Sequence, residues 1–162
     1  MVERCNQLGF RVISVDALEA FDARPEHQGL DFGTRVDYRE LWSWLEGQKG
    51  LNLSALIHLG ACSSTTELNR EFLRQVNIEY SQRAWQYCTH HQVPLAYASS
   101  AATYGDGELG YDDDETRMSK LKPLNPYGES KKLFDDWALE QDLAGQHPPI
   151  WSGHKFFNVY GF

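Results

Sequence analysis

Leu95-Ala-Tyr-Ala-Ser-Ser-Ala-Ala-Thr-Tyr-Gly105, followed by Pro123-Leu-Asn-Pro-Tyr-Gly-Glu-Ser-Lys131, sets the reading of the whole chain. The first run is a short apolar strand that ends in hydroxyls. The second opens a helix, because Pro126 suits a first helical turn, where its missing N–H costs nothing. The amphipathic pattern carries that helix to about residue 143. Outward from this pair, 55–59 (Ala-Leu-Ile-His-Leu) and 11–15 (Arg-Val-Ile-Ser-Val) read as earlier strands, and 156–160 (Phe-Phe-Asn-Val-Tyr) as a later one. Leu68, Phe72, Val76, Ile78, Ala84 and Cys88 recur near a 3.6-residue period and predict a helix over 66–91. A shorter helix over 38–46 turns Leu41, Trp42 and Leu45 inward. Strand–helix alternation at this spacing predicts an α/β fold, a doubly wound parallel sheet with helices on both faces. Ligands of that class bind beyond the carboxyl ends of the strands, so the polar residues after each apolar run are the ones to question. The stretches 20–34 and 105–122 read as excursions beyond strand ends.

Composition narrows the function. A formal net charge of -8 over 162 residues leaves no basic face to displace counterions, which argues against a nucleic-acid partner. A nucleotide ligand stays open, since backbone amides can hold phosphates in an acidic protein. Cys5, Cys62 and Cys88 form no CxxC pair and fit a reducing compartment. Cys88, His90 and His91 read as a solvated helix end rather than a metal site, so no metal is expected. No apolar stretch is long enough to span a bilayer and no signal peptide opens the chain, so a cytoplasmic protein without membrane attachment is expected. His58 and His154, each in an apolar run, read as packed histidines.

The chemistry sits in Tyr127 and Lys131. Four residues apart on a helix, they share a face. An ammonium beside a phenol favours the phenolate and makes tyrosine a usable acid/base. Ser100, at the end of the preceding strand, completes a set able to bind a carbinol and move its proton. The spacing alone is weak evidence; the set is stronger.

These motifs resemble the extended short-chain dehydrogenase/reductase superfamily. Gly60-Ala-Cys-Ser-Ser-Thr-Thr-Glu67 and Phe156-Phe-Asn-Val-Tyr-Gly161 make the chain similar, within it, to the ADP-heptose 6-epimerases, from about residue 53 to 161. The resemblance implies catalytic roles for Tyr127, Lys131 and Ser100, with Ser99 as a structural neighbour. It implies cofactor contacts from Asp16 (ribose), Asp37 (adenine), Leu59, Gly60, Ala61, Cys62, Ser63, Asn77 and Lys131. It implies substrate contacts from Ser64, Thr65, Ser100 and Asn158. Turn-former for Asp16, helix-surface amide for Asn77 and helix cap for Thr66 are the alternative readings of those residues. The implied cofactor is NADP, with NAD open, and the implied substrate is an ADP-heptose whose C6 carbinol is oxidised and re-reduced from the opposite face. The intact enzyme could be a homo-oligomer.

Members of this family open with a strand and a G-x-G-x-x-G loop that holds the pyrophosphate. Here Met1-Val-Glu-Arg-Cys-Asn-Gln-Leu-Gly-Phe10 reads as the end of the helix that follows such a loop. The expectation is therefore an incomplete dinucleotide-binding domain over 1–162, without the first strand, the phosphate loop, the sugar-nucleotide domain or the family's second acid/base. Such a chain is expected to bind cofactor poorly and to lack epimerase activity. Another nucleotide-sugar epimerase or dehydratase, and a non-catalytic remnant or binding module, are the competing readings.

Overall fold

The structure is a computed structural model and describes residues 1–159. The chain falls into two compact units, Met1–Asn52 and Leu53–Phe162.

The first unit runs α1 (Val2–Gln7), β1 (Ile13–Asp16), α2 (Ala20–Ala23), β2 (Thr34–Asp37) and α3 (Leu41–Gly47). β1 and β2 pair in parallel, from Ile13 opposite Thr34 to Asp16 opposite Asp37. β2 was not anticipated, because Thr-Arg-Val-Asp offers only one buried apolar side chain, Val36. α3 buries Leu41, Trp42 and Leu45 as read, but starts at residue 41 rather than 38. Asp37 Oδ1 accepts the Arg39 N–H at 2.8 Å, a local turn that competes with an earlier helical start. The 20–34 excursion has its own small core. Phe21 and Phe32 meet edge to face at 5.1 Å, and the Arg35 guanidinium lies 5.3 and 5.4 Å from their centroids.

The second unit runs β3 (Leu56–His58), α4 (Arg70–Leu73), α5 (Tyr80–His91), β4 (Leu95–Ser100), α6 (Pro126–Leu143) and β5 (Trp151–Phe156). Its sheet is parallel in the order β3-β4-β5. The helix read over 66–91 begins at Arg70, capped by Asn69, whose side chain accepts from the Phe72 amide. A π-helical stretch, Arg74–Glu79, joins α4 to α5. The cap is therefore not Thr66, whose hydroxyl shares a 3.0 Å hydrogen bond with Ser64. β5 lies at 151–156, not 156–160, and Tyr160 is outside the described residues. The Phe156-Phe157 pair drew the sequence reading, while the true strand is an edge whose Ser152 and His154 are exposed. His154 accordingly is not packed; its Nε2 lies 3.0 Å from Ser152 Oγ.

Trp85, Cys88, Val93, Leu95, Tyr97, Phe134 and Ala138 form the core under α5 and α6, with Trp85 and Trp151 ring centroids 4.9 Å apart. Cys88 is fully buried there, and burial pushes its thiol up to about 12, which corrects its reading as part of a solvated helix end. Among the described residues no group of three His, Cys, Asp or Glu could hold a metal ion, and no helix is long and apolar enough to cross a membrane. Gly153 is required where Tyr97 crosses β5, since a Cβ there would meet the phenol at 2.4 Å.

Candidate active site

The second unit gathers its polar groups at the carboxyl ends of β3, β4 and β5. β4 alternates buried and half-buried residues, so Tyr97 and Ser99 face α6 while Ser100 stands at the strand end. Ser100 caps a short 3₁₀ turn, Ala101–Tyr104, its hydroxyl accepting from the Ala102 amide at 3.2 Å. Tyr127 lies in the first turn of α6, fixed by Asn125, whose side chain accepts from the Gly128 amide at 2.7 Å. One turn further, Lys131 is 6% exposed and its ammonium donates to the Ala98 carbonyl at 3.0 Å. Burial lowers this amine to about 8, against the opposing pull of Asp135 and Cys62.

A cavity of about 630 Å³ opens over these groups. Ser100, Tyr127 and Lys131 line it together with Leu59, Ala61, Cys62, Ser63, Thr65 and Asn158. Ser99 also reaches the wall, although its hydroxyl donates to Asp135 at 2.6 Å. Gly60 and Ser64 are not in the wall; Ser64 is exposed and occupied with Thr66. Asp16 and Asp37 belong to the other unit, as register partners at its strand ends. Asp16 Oδ1 accepts from the Ala17 amide at 2.8 Å, and Asp37 Oδ1 takes the Arg39 side chain at 2.9 Å.

Asn77 departs most from its sequence reading. It lies inside the π-helical stretch and is fully buried rather than exposed to the cavity. Its Oδ1 accepts from the Cys62 amide at 2.9 Å, and its Nδ2 donates to the Cys62 carbonyl at 3.2 Å and to Ser130 Oγ at 2.9 Å. Ser130 in turn donates to the Tyr127 carbonyl at 2.7 Å. Asn77 therefore ties the Leu59–Thr65 loop to the helix of Tyr127 and Lys131, and its contact is with protein. Asn77→Ala is expected to cost about 2 kcal/mol in urea unfolding, because the Cys62 N–H loses a buried partner. A variant within about 0.5 kcal/mol of the parent would show that water replaces the amide without loss.

Sequence reading missed Asp135, Lys155 and Thr103. Asp135 is 3% exposed and accepts from Tyr97 Oη at 3.0 Å, Ser99 Oγ at 2.6 Å and Lys155 Nζ at 2.6 Å. A signal existed for one of them: Asp135 repeats the four-residue step from Tyr127 to Lys131 on the same helix face. Gly105-Asp-Gly-Glu-Leu-Gly110 spells G-x-G-x-x-G, yet it follows a 3₁₀ turn instead of a strand. Its amides close local turns, Gly107 onto the Tyr104 carbonyl and Gly110 onto that of Gly107, so it is no phosphate cradle.

The motif model of the NAD dependent epimerase/dehydratase family matches residues 1–162. The chain belongs to this family. It is 43% identical over 164 residues, 99% of its length, to an ADP-L-glycero-D-manno-heptose-6-epimerase of Fusobacterium nucleatum, covering 48% of that protein. It is 41% identical over 165 residues to the protein of the same name from Nitratidesulfovibrio vulgaris, covering 49% of it. The chain thus spans about half the length of these curated relatives. Among solved structures it resembles the ADP-L-glycero-D-manno-heptose-6-epimerase of Helicobacter pylori, with a TM-score of 0.73 at 23% identity over 98% of this chain and 50% of that one. It resembles equally a Thermus thermophilus UDP-glucose 4-epimerase in complex with NAD, with a TM-score of 0.75 at 22% identity over 99% of this chain and 51% of that one. These structural likenesses speak for the fold, α/β with parallel sheets flanked by helices.

Proposed function

We propose that this chain carries the proton- and hydride-transfer machinery of an ADP-L-glycero-D-manno-heptose 6-epimerase that works with NADP, in the cytoplasm, for lipopolysaccharide inner-core synthesis. The observation that supports it is the convergence of Ser100, Tyr127 and Lys131 on one cavity, in a chain 43% identical to an enzyme of that name. The cavity suits a dinucleotide. Its wall alternates small residues (Ala61, Ala98, Ala101) with hydroxyls, and Lys131 brings one nearly buried ammonium to its floor. Leu59, Ala61, Cys62, Ser63 and Lys131 would hold the cofactor, whose nicotinamide, when bound, supplies the hydride acceptor and donor.

The chain's own groups do the rest. Ser100 hydrogen-bonds the reacting oxygen and fixes its distance from Tyr127. Tyr127 takes the carbinol proton on oxidation and returns it on reduction. Lys131, one helical turn from Tyr127 and held by the Ala98 carbonyl, stays in place while the proton moves. Thr65 and Asn158, also in the wall, contact the sugar. Because hydride leaves one face and returns to the other, C6 inverts with no net redox change.

A second reading, epimerisation of a UDP-sugar, draws on the equal structural likeness to UDP-glucose 4-epimerase. The test is to incubate the chain with NADP or NAD and either ADP-heptose or UDP-glucose, and to follow the epimer ratio by proton NMR. Interconversion of the ADP-heptose C6 epimers alone supports the proposal. Conversion of UDP-glucose with ADP-heptose left unchanged overturns it.

A further inference from the structure

All three candidate catalytic residues hang from one buried ion pair that neither motif nor family likeness picks out. On α6, Asp135 follows Lys131 by one turn, and Tyr127 precedes Lys131 by one turn. Its carboxylate reaches across to β4 through Tyr97 and Ser99, and to β5 through Lys155 at 2.6 Å. Ser99 and Lys155 are register partners, so one carboxylate closes the gap between two strands and the helix. Lys155 continues the chain. Its ammonium donates to Thr103 Oγ1 at 2.9 Å, and the fully buried Thr103 donates to the Ser100 carbonyl at 2.8 Å. An unbroken path of protein hydrogen bonds therefore runs from the helix of Tyr127 and Lys131 to the turn that presents Ser100.

We propose that Asp135, paired with Lys155, is the positioning residue of this site: it locks α6 against β4 and β5 so that Ser100, Tyr127 and Lys131 face one another, and it is the counter-ion that keeps Lys131 an ammonium. The pair is 5% and 16% exposed at its side chains, so its charges act through protein rather than water. The groups that face Lys131 are few. Tyr127 and Asp135 stand on its own helix, Cys62 comes from the loop after β3, His58 from β3 itself, and Lys155 reaches in from β5 through Asp135. Of these, Asp135 is the carboxylate. Lys155 contacts this carboxylate directly, while Lys131 stands one helical turn from it with its ammonium on the Ala98 carbonyl. Tyr97 and Ser99 satisfy the remaining lone pairs of that carboxylate, as a buried charge demands.

This inference concerns the site invoked in the proposed function, but its test needs neither cofactor nor substrate. The lysine ammonium signals of the 162-residue chain, labelled with 15N and 13C in lysine, are titrated by NMR, and Lys131 is assigned by its loss in Lys131→Met. In Asp135→Asn, the proton affinity of Lys131 is expected to fall about tenfold or more. In Lys155→Met, which frees the whole carboxylate for Lys131, it is expected to rise, with the opposite sign. In Tyr97→Phe, which removes a neutral partner of the same carboxylate, it is expected to stay within about twofold of the parent. A merely structural brace would disturb packing in all three without ordering the titrations this way. A folded Asp135→Asn chain whose Lys131 titrates as in the parent overturns the proposal. Should Asp135→Asn not fold, an unchanged Lys131 in Lys155→Met overturns it equally. If the titrations move as stated and UDP-glucose is converted in place of ADP-heptose, the positioning role stands and the proposed function falls.

Discussion

Lys131→Met is expected to make the folded chain more stable while ending any turnover. The amine is 6% exposed and lowered to about 8, chiefly by burial. An unfolded lysine titrates at 10.5, so between pH 8 and 10.5 the unfolded chain binds more protons than the folded one. Stability therefore rises with pH across that window, and below pH 8 the burial cost is present in full. The difference amounts to about 3 kcal/mol. Methionine removes the charge at similar length but gives up the hydrogen bond to the Ala98 carbonyl, worth about 1 kcal/mol. A net gain of about 2 kcal/mol is expected in urea unfolding at pH 7, shrinking toward zero or below as pH climbs to 10.5. Turnover, wherever the intact protein shows it, should drop on the order of 100-fold or more, because the cavity loses the ammonium one helical turn from Tyr127. A variant less stable than the parent at pH 7 would mean that the ammonium is better solvated than its burial implies. A functional group that costs stability is also the kind of residue a purely structural protein has no reason to keep.

The sequence showed the site where its residues lie close together along the chain. Tyr127 and Lys131 share a helix, and Ser100 ends an apolar strand; period and adjacency make both visible. The Asp135 network was invisible for the opposite reason. Its partners, Lys155, Ser99 and Tyr97, lie 20, 36 and 38 positions away, and no local pattern couples a mid-helix aspartate to a lysine in an edge strand. Asn77 was noticed as a helix asparagine, but what it holds depends on the π-helical stretch that turns it inward onto Cys62. A single extra residue per turn is not readable from apolar spacing. In the same way β2, with one buried apolar residue, and β5, with polar residues on its open face, carry too little alternation to be located. Strands buried on a covered face, like β4, leave the clearest record.

The buried histidine of β3 ties stability to acid in a way that can be measured. His58 is 9% exposed, its Nε2 lies 2.9 Å from Ser81 Oγ, and the Ser81 hydroxyl donates to the Asn77 carbonyl at 2.8 Å. The serine oxygen is thus left to accept, which requires a proton on Nε2. Burial first, and the charge of Lys131 second, lower this histidine from 6.5 to about 4. Between those values the unfolded chain holds the extra proton, so stability is complete above pH 6.5 and is lost as pH falls toward 4. The loss from this one group should reach about 3 kcal/mol. Other acid-sensitive groups, such as Glu71, which hydrogen bonds from Arg74 and Gln75 hold down at about 2, titrate lower and remain in any His58 variant. His58→Gln keeps a donor for Ser81 without a titrating ring. Urea unfolding of both chains at pH 7.5, 5.5 and 4.5 should therefore show the parent losing its advantage over His58→Gln, and falling below it, as acid is added. In a Lys131→Met background the parent histidine should lose less, since one of the two causes of its shift is gone. If both chains lose stability in parallel, His58 is not the acid-sensitive group and its proton is shared with solvent in the folded state.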